Sequence, residues 1–213
     1  MRNYLFDFDG TLVDSMPTYV SSMLRILDEN GVKYGDDIVK IITPLGLGGA
    51  ADYYITLGIK MSREEILGKM LAYMTEAYEN SIMAKPHVIE AIRELHARGD
   101  RLHVLTASPH SSLDPCLKRL GIYDLFENVW SCEDFFTTKA DPKIYEMAAE
   151  RIGAPIGEIL FLDDNLNADV TAKRAGMKVC GVYDESSAEY TEEIKKNTDF
   201  YINDFSMLPD IKF

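Results

Sequence analysis

Short apolar runs that end in acidic or hydroxyl residues alternate with amphipathic segments over most of the chain. The apolar runs are predicted to be strands, at Tyr4 to Asp7, Leu102 to Thr106, Val129-Trp130, Ile159 to Asp163 and Val179 to Tyr183. Between them, residues 86–98, 142–152 and 168–175 place apolar side chains at helical spacing, and Gly99 and Gly176 end two of these helices. This alternation of strands and helices predicts an α/β fold with a doubly wound parallel sheet.

Residues 15–80 interrupt the alternation, because they contain helical patterns and no convincing strand. The helical patterns run over Met16 to Glu29, Ile38 to Ile42, Ala50 to Leu57 and Arg63 to Glu79. A long insertion at a loop is tolerated, since the entropy of loop closure grows only logarithmically with length. The sequence therefore predicts an all-helical domain at residues 15–85, inserted into a core made of residues 1–14 and 86–213.

Composition and charge indicate which binding partners and which cellular compartment to expect for this protein. The chain has 22 Lys plus Arg against 35 Asp plus Glu, a formal net charge of −13, and no basic patch, which argues against a nucleic-acid partner. The cysteines Cys116, Cys132 and Cys180 lack the spacing of a zinc site or a disulfide framework, so we expect reduced, mostly buried thiols. The sequence contains no apolar stretch long enough for a membrane span. Asp7 interrupts any apolar core of a signal peptide, and we expect a cytoplasmic protein.

The strongest chemical signal is the string Asp7-Phe8-Asp9-Gly10-Thr11-Leu12-Val13-Asp14-Ser15, directly after the first predicted strand. Strand ends in doubly wound sheets line the ligand crevice, and Asp7 and Asp9 start on the same side because they alternate with apolar residues. Gly10 allows a close approach of the backbone to a ligand. Two carboxylates this close repel each other unless a divalent cation neutralises them or one is protonated. A surface turn is the alternative, because Asp-Gly and Asp-Ser are common turn dipeptides.

The full string resembles the first motif of the haloacid dehalogenase-like hydrolase superfamily, in particular the branch of phosphoglycolate phosphatases and β-phosphoglucomutases. The resemblance implies a Rossmann-like core with an inserted helical cap domain, Mg²⁺ as cofactor, and an aspartyl-phosphate mechanism. It implies that Asp7 is the nucleophile and a Mg²⁺ ligand. It also implies that Asp9 is the general acid and base and a Mg²⁺ ligand through its backbone carbonyl, and that Gly10 contacts the phosphate.

The second and third motifs of the family follow in order. Thr106 ends a predicted strand and is implied, with Ala107, to bind phosphoryl oxygens, although a helix start at Ser108-Pro109 explains the same residues. Lys139 precedes a predicted helix and is implied to offset the charge that Asp7 shares with the phosphoryl group. This chain departs from the family pattern at Ala140, where relatives often have proline.

The fourth motif is the acidic pair Asp163-Asp164 at the end of a predicted strand. The resemblance implies that both residues belong to the Mg²⁺ site, and carboxylate oxygens are the hard donors that this ion prefers. Many relatives carry an acid four residues after the position of Asp164, where this chain has Ala168. Asp169 comes one residue later, and the sequence leaves open whether it replaces that acid or lies on the helix surface.

The residue two positions after the nucleophile indicates the reaction. True haloacid dehalogenases resemble D-x-Y-G-T, whereas this chain has Asp9, which favours phosphoryl transfer. We therefore expect a phosphatase that acts on a small phosphomonoester as a monomer or small homo-oligomer. A β-phosphoglucomutase-like phosphomutase is the alternative. A non-catalytic phosphate-binding regulator is a further one, disfavoured because Asp7, Asp9 and Lys139 are all present.

The predicted cap domain contains a glycine-rich stretch, Thr43 to Gly49, that is apolar and has no arginine. This stretch looks more like the specificity loop of a phosphatase than the basic cap of a sugar phosphomutase, and an ordinary loop between helices is the alternative. The candidate specificity residues are Leu45, Gly46, Leu47 and Gly48. We expect the cap to act as a lid, with hinges near residues 14–17 and 84–86.

Overall fold

Six parallel strands form a single sheet in the order β3-β2-β1-β4-β5-β6. The strands are β1 (Asn3–Phe6), β2 (Arg101–Thr106), β3 (Asn128–Ser131), β4 (Ile159–Asp163), β5 (Lys178–Val182) and β6 (Phe200–Ile202). The central strand β1 is buried along its whole length, and Phe6 is in register with Val104 of β2 and Leu162 of β4. The carboxyl ends of these three strands therefore meet at one edge of the sheet. The predicted α/β fold with a doubly wound parallel sheet is confirmed.

The computed structural model describes residues 1–213 and divides into two compact units, Met1–Asp14 with Met83–Phe213, and Ser15–Ile82. In the first unit, the helices are α5 (Val88–Ala97), α6 (His110–Arg119), α7 (Lys143–Ile152), α8 (Leu166–Ala175) and α9 (Thr191–Asn197). The sequence pattern predicted α5, α7 and α8, gave the start of α6 only as the alternative interpretation of Ser108-Pro109, and missed α9 and β6. α9 and β6 are short, with seven and three residues, whereas α6 is as long as the predicted helices but carries an internal proline, Pro115, that weakens its helical signal.

The second unit consists of α1 (Met16–Glu29), α2 (Ile38–Ile42), α3 (Gly46–Thr56) and α4 (Arg63–Asn80), and it has its own apolar core. The prediction of a glycine-rich loop up to Gly49 is wrong, because α3 begins at Gly46 directly after a 3₁₀ turn at Thr43–Leu45. A Cβ atom on Gly49 would lie 2.9 Å from the Cβ atom of Leu45. The glycine therefore allows the start of the helix to pack against the preceding turn.

The chain returns from the second unit to the first at Ile82-Met83 rather than at the predicted boundary after residue 85. The reason is a short antiparallel pairing within the first unit. The N–H of Asp14 donates to the Met83 carbonyl, and the N–H of Lys85 donates to the Leu12 carbonyl, each over 3.0 Å. Residues 83–85 are therefore held by the segment that follows β1.

The state of the cysteines and the apolar character of the helices were also predicted from composition. All three cysteines are buried and free, as predicted. None of the helices combines the length and the apolar composition that a membrane crossing requires.

Candidate active site

Asp7 directly follows β1, at the carboxyl edge of the sheet. Its N–H donates to the Leu162 carbonyl over 2.8 Å, which extends the pairing of β1 with β4 by one residue. The Asp7 side chain is almost fully buried, and one of its oxygens accepts a hydrogen bond from the Lys139 ammonium over 2.6 Å. The same ammonium lies 2.7 Å from an oxygen of Asp163, the last residue of β4. Lys139 thus joins two of the predicted site carboxylates in one buried ion-pair cluster.

Three buried carboxylates converge at this edge. Ligand oxygens of Asp7, Asp163 and Asp164 all lie within 4.8 Å of one another. Burial, together with the charge of Asp163, raises the pKa of Asp164 to about 7. Burial also raises the pKa of Asp7 well above its usual range, although Lys139 opposes the shift. Three acidic groups around one ammonium leave an excess of negative charge, so this set of hard oxygen donors fits a divalent cation such as Mg²⁺.

Lys139 is charged in this setting. Burial alone would lower the pKa of its ammonium, but Asp163 and Asp7 raise it well above the usual range. Asp163 is oriented by a second contact, because its other oxygen accepts from the N–H of Asn165 over 2.8 Å. Because Asp163 is fixed by Asn165 and contacts Lys139, it holds the Lys139 ammonium in place.

The turn after β1 brings Gly10 and Thr11 against Asp164. Gly10 has a φ of +75°, and a Cβ atom there would lie 2.6 Å from an oxygen of Asp164, so only glycine fits. The Thr11 hydroxyl donates to Asp164 over 3.1 Å. The N–H of Gly10 donates to the Val13 carbonyl over 3.0 Å and is thus engaged within the turn. The close backbone approach expected at Gly10 is made to the Asp164 carboxylate.

Asp9 is reached by a residue to which the sequence assigned no part in the site. The Ser108 hydroxyl donates to Asp9 Oδ2 over 2.5 Å, and the N–H of Ser108 donates to the Thr106 hydroxyl over 3.1 Å. Thr106 ends β2 and is buried, and Ala107, which links it to Ser108, is exposed. The residue before α6 is Pro109, and no side chain caps that helix. Ser108 therefore orients a carboxylate rather than capping a helix.

Asp169 lies in the interior and not on the helix surface, so that alternative is wrong. Its side chain is fully buried in α8, and both carboxylate oxygens lack a hydrogen-bond partner. Burial raises its pKa well above the usual range, and the charges of Asp163 and Asp164 add to the shift. The converging carboxylate group comprises Asp7, Asp163 and Asp164 and does not include Asp169.

Lys85 is the other residue that the motifs did not identify. Its ammonium donates to the Gly10 carbonyl over 2.6 Å, to the Tyr183 carbonyl over 2.5 Å and to Asp184 over 2.8 Å. The only sequence signal was a lysine before Pro86, in a segment expected to be a hinge. The contacts instead anchor this segment to the edge of the sheet that carries Asp7.

The candidate specificity residues lie in the second unit. Leu45 ends the 3₁₀ turn and is about half exposed, Gly46 and Gly48 belong to the first turn of α3, and Leu47 packs against the core of that unit. Their part in substrate choice stays a prediction.

Comparison with known proteins adds independent evidence. The family profile described as haloacid dehalogenase-like hydrolase matches residues 4–182. A pyrophosphatase, PpaX, of Bacillus velezensis is 28% identical over 84% of this chain and 81% of its own. A phosphoglycolate phosphatase of Salmonella typhimurium is 28% identical over 85% and 81% of the two chains. Among solved structures, a protein of Thermotoga maritima provisionally described as a β-phosphoglucomutase has 21% identity and a TM-score of 0.85 over all of both chains.

Proposed function

Because the chain belongs to the haloacid dehalogenase-like hydrolase family, we propose that it is a Mg²⁺-dependent phosphatase for a small phosphomonoester. The observation that carries the proposal is the buried cluster of Asp7, Asp163 and Asp164 around the charged Lys139 at the carboxyl edge of the sheet. A cluster with this excess of negative charge is suited to a metal-assisted reaction of an anionic substrate.

In the proposed reaction, a carboxylate oxygen of Asp7 attacks phosphorus in line with the ester oxygen. The P–O bond to the ester oxygen breaks, and Asp9 donates a proton to the departing alkoxide. Asp9 then accepts a proton from water as the water oxygen attacks the phosphorus of the aspartyl phosphate; the P–O bond to Asp7 breaks, which releases inorganic phosphate and restores the Asp7 carboxylate. Lys139 and the groups around Thr106 and Ala107 stabilise the negative charge on the phosphoryl oxygens.

The metal site in this proposal uses residues of the same cluster. Asp7, Asp164 and the backbone carbonyl of Asp9 would hold Mg²⁺, which when bound withdraws charge from the phosphoryl oxygens. Asp163 holds Lys139 beside the nucleophile. Ser108 supports the proposal independently, because its hydroxyl orients the carboxylate that moves the proton.

The test is release of phosphate from a panel of esters in the presence of Mg²⁺. The panel contains phosphoglycolate, hexose phosphates, nucleotides and pyrophosphate, two of which are suggested by the names of the relatives. Phosphate release from one member, abolished by EDTA, is expected. Interconversion of β-glucose 1-phosphate and glucose 6-phosphate without phosphate release would establish a phosphomutase instead.

Substrate choice is part of the same proposal. We assign it to Leu45, Gly46, Leu47 and Gly48 in the helical unit. Replacing the half-exposed Leu45 by lysine should change the order of preference across the ester panel without a large loss of stability. An unchanged kcat/KM for every ester would remove these residues from the proposal.

A further inference from the structure

Lys85 is the one lysine besides Lys139 whose ammonium is largely buried at the carboxyl edge of the sheet, and its side chain is 13% exposed. Its three acceptors come from two segments that are far apart in sequence. Gly10 lies in the turn after β1, and Tyr183 and Asp184 follow β5. A buried ammonium needs such partners, because burial of an unpaired charge is costly.

Asp184, the carboxylate that pairs with Lys85, is itself fixed by hydrogen bonds from Ser186. It accepts hydrogen bonds from the N–H of Ser186 over 2.9 Å and from the hydroxyl of Ser186 over 2.5 Å. Although burial alone would raise it, the pKa of Asp184 is held below its usual range by the contacts with Lys85 and Ser186. The ion pair is therefore formed and oriented before any ligand arrives.

The backbone of Lys85 clamps the same turn that its side chain contacts. Its N–H donates to the Leu12 carbonyl over 3.0 Å, while its ammonium donates to the Gly10 carbonyl over 2.6 Å. The Asp164 carboxylate lies where a Cβ atom of Gly10 would project and leaves no room for that atom. Gly10 is thus contacted by Lys85 at its carbonyl and by Asp164 at its α-carbon.

We propose that Lys85 is a positioning residue for the divalent-cation site: it fixes the turn that places Gly10 beside Asp164 and so sets the distance between Asp164 and the backbone of Asp9. The inference rests on the proposed function, because the Asp9 carbonyl and the Asp164 carboxylate are the ligands assigned there. Without the ammonium, the Gly10 carbonyl loses its partner, and the turn can move away from Asp164. The Asp164 carboxylate and the Asp9 carbonyl would then remain available to Mg²⁺, but at a spacing that binds it less tightly.

The test compares four proteins: wild type, Lys85→Met, the double variant Lys85→Met/Asp184→Asn, and Lys173→Met. Methionine keeps most of the length of the lysine stem and removes the ammonium. The double variant also removes the buried charge that Lys85→Met would leave unpaired, and it keeps a side-chain oxygen for Ser186. Lys173→Met is the matched control, because it breaks a Lys–Asp pair of similar length, 2.9 Å, at an exposed place on α8.

Mg²⁺ binding is measured by calorimetry without any ester, and kcat and KM are measured with p-nitrophenyl phosphate. We expect Lys85→Met to weaken Mg²⁺ binding by about 10- to 100-fold, the usual effect of losing a group that orients metal ligands. At saturating Mg²⁺, KM should change less than kcat. The double variant should regain thermal stability but not Mg²⁺ affinity, and Lys173→Met should match wild type in both.

Two results would overturn the inference: wild-type Mg²⁺ affinity in Lys85→Met, or recovery of Mg²⁺ affinity together with stability in the double variant. The second result would mean that Lys85 only neutralises Asp184. If Lys85→Met fails to fold, the double variant alone decides. Absence of phosphatase activity in the wild-type protein would reject the proposed function, whereas the calorimetric comparison would still decide the role of Lys85.

Discussion

Replacement of Ser108 by alanine removes the hydroxyl that donates to Asp9 over 2.5 Å. A hydrogen bond to a charged group contributes about 1.5–3 kcal/mol. If this bond holds Asp9 in the orientation for proton transfer, its loss appears in the barrier, and each 1.36 kcal/mol corresponds to about tenfold in rate. We therefore expect kcat to fall by about 10- to 100-fold for an alkyl phosphate.

The assay compares two esters that differ in their need for a proton. An alkoxide leaving group requires protonation, whereas p-nitrophenolate departs readily without it. Ser108→Ala should therefore lose much more activity with a hexose phosphate or phosphoglycolate than with p-nitrophenyl phosphate. Ser108→Thr retains a hydroxyl and should recover part of the activity. Ser111→Ala, on the exposed side of α6, is the control. Equal losses on both classes of ester would refute the assignment of Ser108 to Asp9.

Two further predictions concern stability. Burial lowers the pKa of His103 to about 4, so protonation of this side chain opposes folding. The free energy of unfolding should therefore fall by up to about 3 kcal/mol between pH 6.5 and pH 4, and denaturant titrations should show a smaller loss in His103→Gln. An equal loss in the two proteins would contradict this prediction. Phe136 is 97% exposed and adopts a left-handed backbone conformation, with a φ of +53°, that strains a residue with a side chain. Phe136→Gly should therefore raise the free energy of unfolding by about 0.5–1 kcal/mol. An unchanged or lower melting temperature would contradict the presence of this strain.

The parts of the site that local sequence encodes could be predicted. Asp7 and Asp164 each follow a short buried strand, and parallel strands bring their carboxyl ends to one edge, so convergence of these carboxylates follows from the strand pattern. Lys139 could be found only through the resemblance to a family, because a lysine before a helix is common. Its contact with Asp7 joins residues 132 positions apart.

The contacts of Ser108 and Lys85 could not be predicted, because they depend on tertiary structure. Ser108 and Asp9 are 99 positions apart, and Lys85 and Asp184 are also 99 apart. No local sequence pattern marks either pair, because serine and lysine are common residues and the partners are far apart along the chain. The start of α3 was missed for a different reason: glycines predict a loop, but here Gly49 leaves room for the helix to pack against Leu45.

The central claim is that Asp7 becomes phosphorylated during turnover. The most direct measurement is mass spectrometry of the peptide that contains Asp7 after acid quenching of the protein during hydrolysis of an ester with Mg²⁺. We expect a phosphoryl group on Asp7 in the wild-type protein and in Asp14→Asn, a control at an exposed position of the same motif, and neither the phosphoryl group nor turnover in Asp7→Asn. Sustained hydrolysis by Asp7→Asn, or a phosphoryl group on another residue in its place, would contradict the account.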